Sequence, residues 1–247
     1  MITAAALCPW PPLLVRELTG ADPVLPELRQ ACAAAVSALL RDEPEVVAVV
    51  GPGPETARWP GHGQLRIAAF GGQQAEAGEA ARPALPASAG LGAYLLDQAG
   101  YRGPRVIWTV SQDEPTAGCC RLGAGLAALS QRAVLLVMGD GSARRGPKAP
   151  GHFDERSAAF DAGVERAVRA GDLGALLAID PALARELMAT GRPAWQVLAG
   201  ALGALPRGGQ ALAVDVRYAG DPFGVMYLVA SLAPVLLDCR LAGTDGQ

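Results

Sequence analysis

Lysine is almost missing from this chain: of 21 basic residues, only Lys148 is one. Histidine is scarcer than any site built on imidazoles would want, with His62 and His152 the only two. There is no excess of positive charge, the formal net charge being -3, so nothing in the composition attracts nucleic acid. Five cysteines (Cys8, Cys32, Cys119, Cys120 and Cys239) form no CxxC pair, and their number is odd. That excludes a disulfide framework or a zinc ribbon and leads us to expect reduced thiols in a cytoplasmic protein. Long apolar runs are also lacking. The N-terminal run Ile2 to Cys8 has no basic flank and is cut by Pro9-Trp10-Pro11-Pro12, which excludes a signal peptide and a membrane span. Phosphate-binding loops are absent as well. Gly51-Pro52-Gly53-Pro54 cannot cradle a phosphate, because its two prolines remove two amide donors.

What is there is a globular core. Residues are 51% hydrophobic and 18% charged, which argues against disorder. The load of alanine, glycine and proline, with arginine in place of lysine, fits a GC-rich coding bias. Short apolar runs predict strands at Ile2–Cys8, Val46–Val50, Leu65–Phe70, Arg105–Val110, Ala133–Met138, Ala211–Tyr218 and Val225–Leu232. Helical spacing predicts helices over Leu25–Leu40, Leu91–Gln98, Pro115–Ser130, Asp154–Arg169, Leu173–Ile179, Ala182–Thr190 and Ala194–Leu205, with Asp180 as an N-cap. Residues 71–89 read as a surface loop. Strands alternating with helices predict a single α/β sandwich over 1–237, with a mostly parallel or mixed central sheet closed by an antiparallel pair, and a frayed tail over 238–247.

The pivotal stretch is Arg132–Asp161. A buried strand breaks at Gly139-Asp140-Gly141-Ser142, passes a basic loop and enters a helix, and such strand ends carry the sites of open α/β folds. Four segments in order along the chain carry a resemblance. They are Pro9-Trp10-Pro11-Pro12-Leu13-Leu14, then Gly51-Pro52-Gly53-Pro54, then Gly139-Asp140-Gly141-Ser142-Ala143-Arg144 with Ala149-Pro150-Gly151 and Phe160-Asp161, and last Asp221-Pro222-Phe223-Gly224-Val225-Met226-Tyr227. Together they resemble the class III extradiol ring-cleavage dioxygenases, in the form of the catalytic B-type subunit of protocatechuate 4,5-dioxygenase. The resemblance implies an α/β subunit-B-like fold and a homo-oligomer. It also implies a non-haem Fe(II) held by two histidines and a carboxylate, with a further histidine as acid/base.

Position by position, the family's histidines are replaced by Trp10, Gly53 and Ala143, and Asp221 is the only acid near the expected carboxylate. None of the three substitutes has a lone pair to give a metal. The resemblance therefore implies a pseudoenzyme whose iron site is lost, with no cofactor expected, binding a small polar or aromatic ligand or a partner subunit. The alternative is an active metal-dependent ring-opening dioxygenase using substituted ligands. In it His62, His152 and Asp221 or Asp154 converge on Fe(II) or another divalent metal; each histidine lies nine residues beyond a lost position.

Two further groups have both a functional and a structural reading. Asp140, Ser142, Arg144, Arg145 and Lys148 could line a ligand pocket, arginine forks suiting carboxylate or phosphate. Equally, Asp140 and Ser142 could satisfy loop amides while the cations stay solvated. Cys119 and Cys120 lie where a helix start would lower a thiol pKa, although cysteine is also a common core residue. Trp10 either fills the space of a metal and its ligand or packs at the mouth of the pocket.

Overall fold

The computed structural model describes residues 1–19, 25–71, 82–204 and 210–236. Seven strands form one mixed sheet: β1 (Ile2–Cys8), β2 (Val46–Gly53), β3 (Ala57–Trp59), β4 (Arg105–Ser111), β5 (Ala133–Met138), β6 (Gln210–Gly220) and β7 (Tyr227–Leu236), in the spatial order β3-β4-β2-β5-β1-β7-β6. The central block β4-β2-β5-β1 is parallel, while β3 and the β6–β7 pair run antiparallel at its two edges. The chain is thus an α/β protein with a seven-stranded mixed sheet flanked by helices.

The apolar strands read as unbroken runs because both faces are covered. Along β5, Ala133, Leu135 and Val137 enter one core while Val134, Leu136 and Met138 enter the other. In β2, Ala48 and Val50 face the first core and Val47 and Val49 the second, as a period of two requires. The first core is roofed by α4 (Thr116–Ala127), α5 (Arg156–Ala170), α6 (Leu173–Leu177) and α8 (Arg192–Gly203), with Trp195 fully buried at its centre. The second is roofed by α2 (Pro26–Leu39) and α3 (Ala87–Gln98). Two short helices, α1 (Arg16–Thr19) and α7 (Pro181–Glu186), complete the described set. Asp180 caps α7, its Oδ1 accepting the amide of Ala182 at 2.8 Å, as expected.

Three local expectations are corrected. Leu65–Phe70 is not a strand; Ile67–Phe70 forms a 3-10 turn, and Leu65 is buried under α3. The helix α3 begins at Ala87 rather than Leu91, and its Gly90 and Gly92 pack directly on Leu65 and Val49. The three-residue strand β3 has no alternating pattern that the sequence could reveal. Residues 72–81 of the expected surface loop and the expected tail 238–247 lie outside the described residues. No described helix is long and apolar enough to cross a membrane.

Candidate functional site at the strand ends

Parallel strands deliver their C-terminal ends to one edge, so Cys8, Gly53, Ser111 and Met138 stand in a row there. The loop after β5 is threaded under α8. A Cβ on Gly139 would lie 2.6 Å from the Cα of Gly191, so both glycines are needed for this crossing. Backbone bonds then pin the loop. Gly191 N–H donates to the Asp140 carbonyl at 2.8 Å, Gly141 N–H to that of Met226 at 2.7 Å, and Ala143 N–H to that of Leu187 at 3.1 Å. The β6–β7 turn is fixed to the same loop by Met226 N–H on Ser142 O at 3.0 Å and Arg145 N–H on Gly224 O at 3.0 Å. The four segments that carried the resemblance therefore meet at one end of the sheet.

Trp10 sits at this edge, partly exposed and packed on the second core. Its indole N–H donates to Thr190 Oγ1 at 3.1 Å and its amide to Asp140 Oδ1 at 2.9 Å. Thr190 is held in turn by Gln112, whose Nε2 donates to its carbonyl at 2.6 Å. Gly53 cannot carry a side chain in this backbone: a Cβ there would stand 2.5 Å from the Cβ of Thr109. Thr109 is fixed between Trp59 Nε1, from which it accepts at 2.8 Å, and the Glu55 carbonyl, to which it donates at 2.9 Å. Ala143 is buried.

The acidic groups of this edge are already engaged. Asp140 accepts from Trp10, and burial pushes its pKa up to about 7 despite that hydrogen bond. Asp161 of α5 is buried and accepts twice from Ser142, from its amide at 2.9 Å and its hydroxyl at 2.5 Å. Burial raises its carboxyl to about 6, opposed by the Ser142 hydrogen bonds and the Arg145 charge. Arg145 Nε donates to Asp221 Oδ2 at 2.8 Å and lies 3.7 Å from Asp161 Oδ2, so it bridges both carboxylates. Asp140 thus holds the Trp10 amide and Ser142 holds Asp161, while the single charge of Arg145 is shared between the Asp161 and Asp221 carboxylates. Lys148 is exposed. Arg144 has a buried Nε with no hydrogen-bond partner among the described residues.

Beneath the mouth, the Cys32 thiol is raised by its hydrogen bond with Cys8, then by burial and the Cys8 and Asp140 charges. Burial raises the Tyr227 phenol, with Asp140 adding to it. At neutral pH these two groups are held protonated.

The rescue set of ligands is not assembled. His62 is exposed and lies beside Arg105, at the start of β4, whereas His152 follows β5 in a loop tied to Ala143 through Gly151 N–H at 2.9 Å. A seven-residue strand spans about 20 Å, so the two imidazoles occupy opposite ends of the sheet. Asp221 is held by Arg145 and Asp154 by Arg156 (2.8 Å), which lowers the Asp154 carboxyl to about 2. Among the described residues no group of three or more His, Cys, Asp or Glu side chains is arranged to hold a metal ion. Trp10, Gly53 and Ala143 offer no donor, so the residues present do not fit the iron centre that the resemblance implied.

Of the two readings of Cys119, the structure supports the core one. Cys119 is buried, and burial raises its thiol to about 11 instead of lowering it. Cys8, Cys32, Cys119 and Cys120 are free thiols, and Cys239 lies outside the described residues.

Sequence reasoning missed two structural anchors of this edge. Arg192 is completely buried at the start of α8, donating to the carbonyls of Glu114 (2.8 Å) and Gln112 and to Gln196 Oε1 (3.1 Å). It fastens the loop after β4 to α8, and burial lowers its pKa. Asp161 was visible only as part of a motif, without its role as the acceptor that organises Ser142.

A scan against protein-family models finds no match for this chain, and a search of curated proteins finds none either. Among solved structures, the chain is similar to an uncharacterized protein of Escherichia coli K12, JW3007, with a TM-score of 0.52 and 16% identity over 94% of this chain and 99% of that one. At that identity the likeness concerns the fold alone.

Proposed function

We propose that this chain is a metal-free pseudoenzyme on an extradiol dioxygenase subunit-B-like scaffold, which holds a small polar or aromatic ligand at the strand ends. One observation carries the reading. At the three positions where the resemblance calls for histidine, Trp10 is tied to Thr190 and Asp140, Gly53 is walled in by Thr109, and Ala143 is buried. A Thr109 side chain that fills the space beside Gly53 fits a scaffold that has moved away from metal ligation.

The ligand-binding part rests on the rim. Arg144 keeps a buried Nε without an acceptor among the described residues, and Lys148, four residues further along the same loop, is exposed. Phe153, Met188 and Phe223 present exposed apolar surface around the same loop. Cationic donors beside apolar surface suit an aromatic acid. A homo-oligomer or a companion catalytic subunit belongs to the same reading by resemblance.

Anaerobic titration with Fe(II), followed by desalting and metal analysis, tests it. No stoichiometric iron, and no oxygen uptake with 3,4-dihydroxybenzoate, is the expected result. Stoichiometric iron with ring cleavage would replace the proposal with the active dioxygenase. Binding of 3,4-dihydroxybenzoate measured by calorimetry should be lost in Arg144→Ala with the fold intact; undiminished binding would remove the rim from the reading.

A further inference from the structure

The opposite end of the sheet carries a second concentration of charge. Asp97, near the end of α3, receives three arginines from different parts of the chain. Arg105, the first residue of β4, donates from Nη2 to Asp97 Oδ1 at 2.7 Å; Arg102 reaches the same oxygen at 3.4 Å; Arg82 Nη1 lies 3.7 Å from Oδ2. Three guanidinium charges against one carboxylate leave an excess of two positive charges. Together with His62 they line an open hollow of about 680 Å³, in which Asp97 is the only acid among the described residues.

The cluster is built rather than scattered. The Arg105 side chain is only 6% exposed, with a further hydrogen bond to the Tyr101 carbonyl at 2.6 Å and its guanidinium 5.6 Å from the centre of the Tyr101 ring. Arg82 is oriented by donating to the carbonyls of His62 (2.7 Å) and Gly63 (3.2 Å). That leaves Nη1, at ion-pair distance from Asp97 but beyond a hydrogen bond, as its spare donor. Arg102 is 71% exposed and uses only Nη1, on Asp97 and on the Asp97 and Tyr101 carbonyls. Its Nε and Nη2 have no protein acceptor among the described residues. Only Arg105 is desolvated here, while Arg82 and Arg102 face the open hollow, so the excess charge is available to an anion from solvent.

We infer that this hollow binds a phosphate monoester dianion, seated against Arg82, Arg102 and Arg105. A dianion cancels the excess charge. A tetrahedral oxyanion presents three acceptor oxygens to the spare donors of Arg82 (Nη1) and Arg102 (Nε and Nη2), while Arg105, engaged with Asp97 and the Tyr101 and Ala93 carbonyls, contributes charge behind them; a planar carboxylate presents only two oxygens. The site is independent of the strand-end mouth and lies at the other end of the parallel strands.

Isothermal titration of the full chain at constant ionic strength tests this, using inorganic phosphate, methyl phosphate and succinate in parallel. Methyl phosphate should bind saturably at one site per chain, and succinate should not. Arg102→Gln, whose exposed side chain leaves the fold unchanged by circular dichroism, should weaken binding about tenfold or more, the loss of one charge-assisted pair. Arg121→Gln, an exposed arginine on α4, should leave it unaltered. Preference for inorganic phosphate over methyl phosphate would overturn the monoester assignment. Absence of saturable binding, stronger binding of succinate, or equal weakening by both substitutions would overturn the site.

Discussion

Replacing Asp140 by asparagine should stabilise the protein, and by more at high pH than at low. The side chain is partly buried at the end of β5 and its only described hydrogen bond is the Trp10 amide on Oδ1, which an asparagine oxygen can accept equally well. Its pKa rises from 3.8 to about 7. The sign follows from linkage. Between those values the folded chain holds a proton that the unfolded chain has released, so stability falls as pH rises and levels off above about 7. With each pH unit worth about 1.4 kcal/mol, the ionisation penalty is about 2 kcal/mol at pH 5 and about 4 kcal/mol at pH 8. A neutral amide carries no such penalty, so the gain of Asp140→Asn over the parent should grow by about 2–3 kcal/mol between these two pH values. Urea unfolding of both proteins at pH 5 and pH 8 measures it. Asp161, raised in the same direction, contributes equally to both and cancels in the difference. A gain that is the same at the two pH values, or a loss at pH 8, would refute the desolvation argument and would mean that the carboxylate has a charged partner.

Gly53→His should destabilise the fold by about 1–3 kcal/mol, because its Cβ overlaps that of Thr109. Thr109→Gly in the same chain should recover part of that cost, as thermal unfolding of the single and double variants would register. Ser142→Ala should cost about 1–3 kcal/mol by leaving the buried Asp161 without its hydroxyl donor. It should also raise the Asp161 pKa above about 6, steepening the loss of stability from pH 5 to pH 7. An unchanged pH profile in urea unfolding would show that the Ser142 hydroxyl has no part in setting that carboxyl.

The parallel block was legible because fully buried strands write themselves as continuous apolar runs; Val46–Val50 and Ala133–Met138 need no partner to be recognised. Leu65–Phe70 misled for the same reason: apolar content marked burial there, but not which backbone conformation delivered it. The start of α3 was hidden by Ala and Gly, which lower helical periodicity while allowing the closest packing. The residues of the strand-end edge were legible as positions, since Trp10, Gly53, Ala143 and Asp221 were picked out from four separate segments. Their partners were not. Asp161 lies 19 residues from Ser142, Thr190 lies 180 from Trp10 and Arg145 lies 76 from Asp221. A side chain's hydrogen bonds at such separations depend on the assembled sheet, which no local spacing encodes.

The position of β1 between β5 and β7 sets the timing of folding. Ile2–Cys8 leaves the ribosome early, yet its antiparallel neighbour Tyr227–Leu236 is made about 220 residues later. At roughly 5–20 residues per second, one side of β1 waits on the order of 10–40 s for its partner. During that interval a largely apolar strand has an open edge. The chain should therefore depend on chaperone protection during synthesis. A circular permutant that places β1 directly after β7 should refold faster than the parent, because it replaces the longest-range pairing in the sheet by a local one.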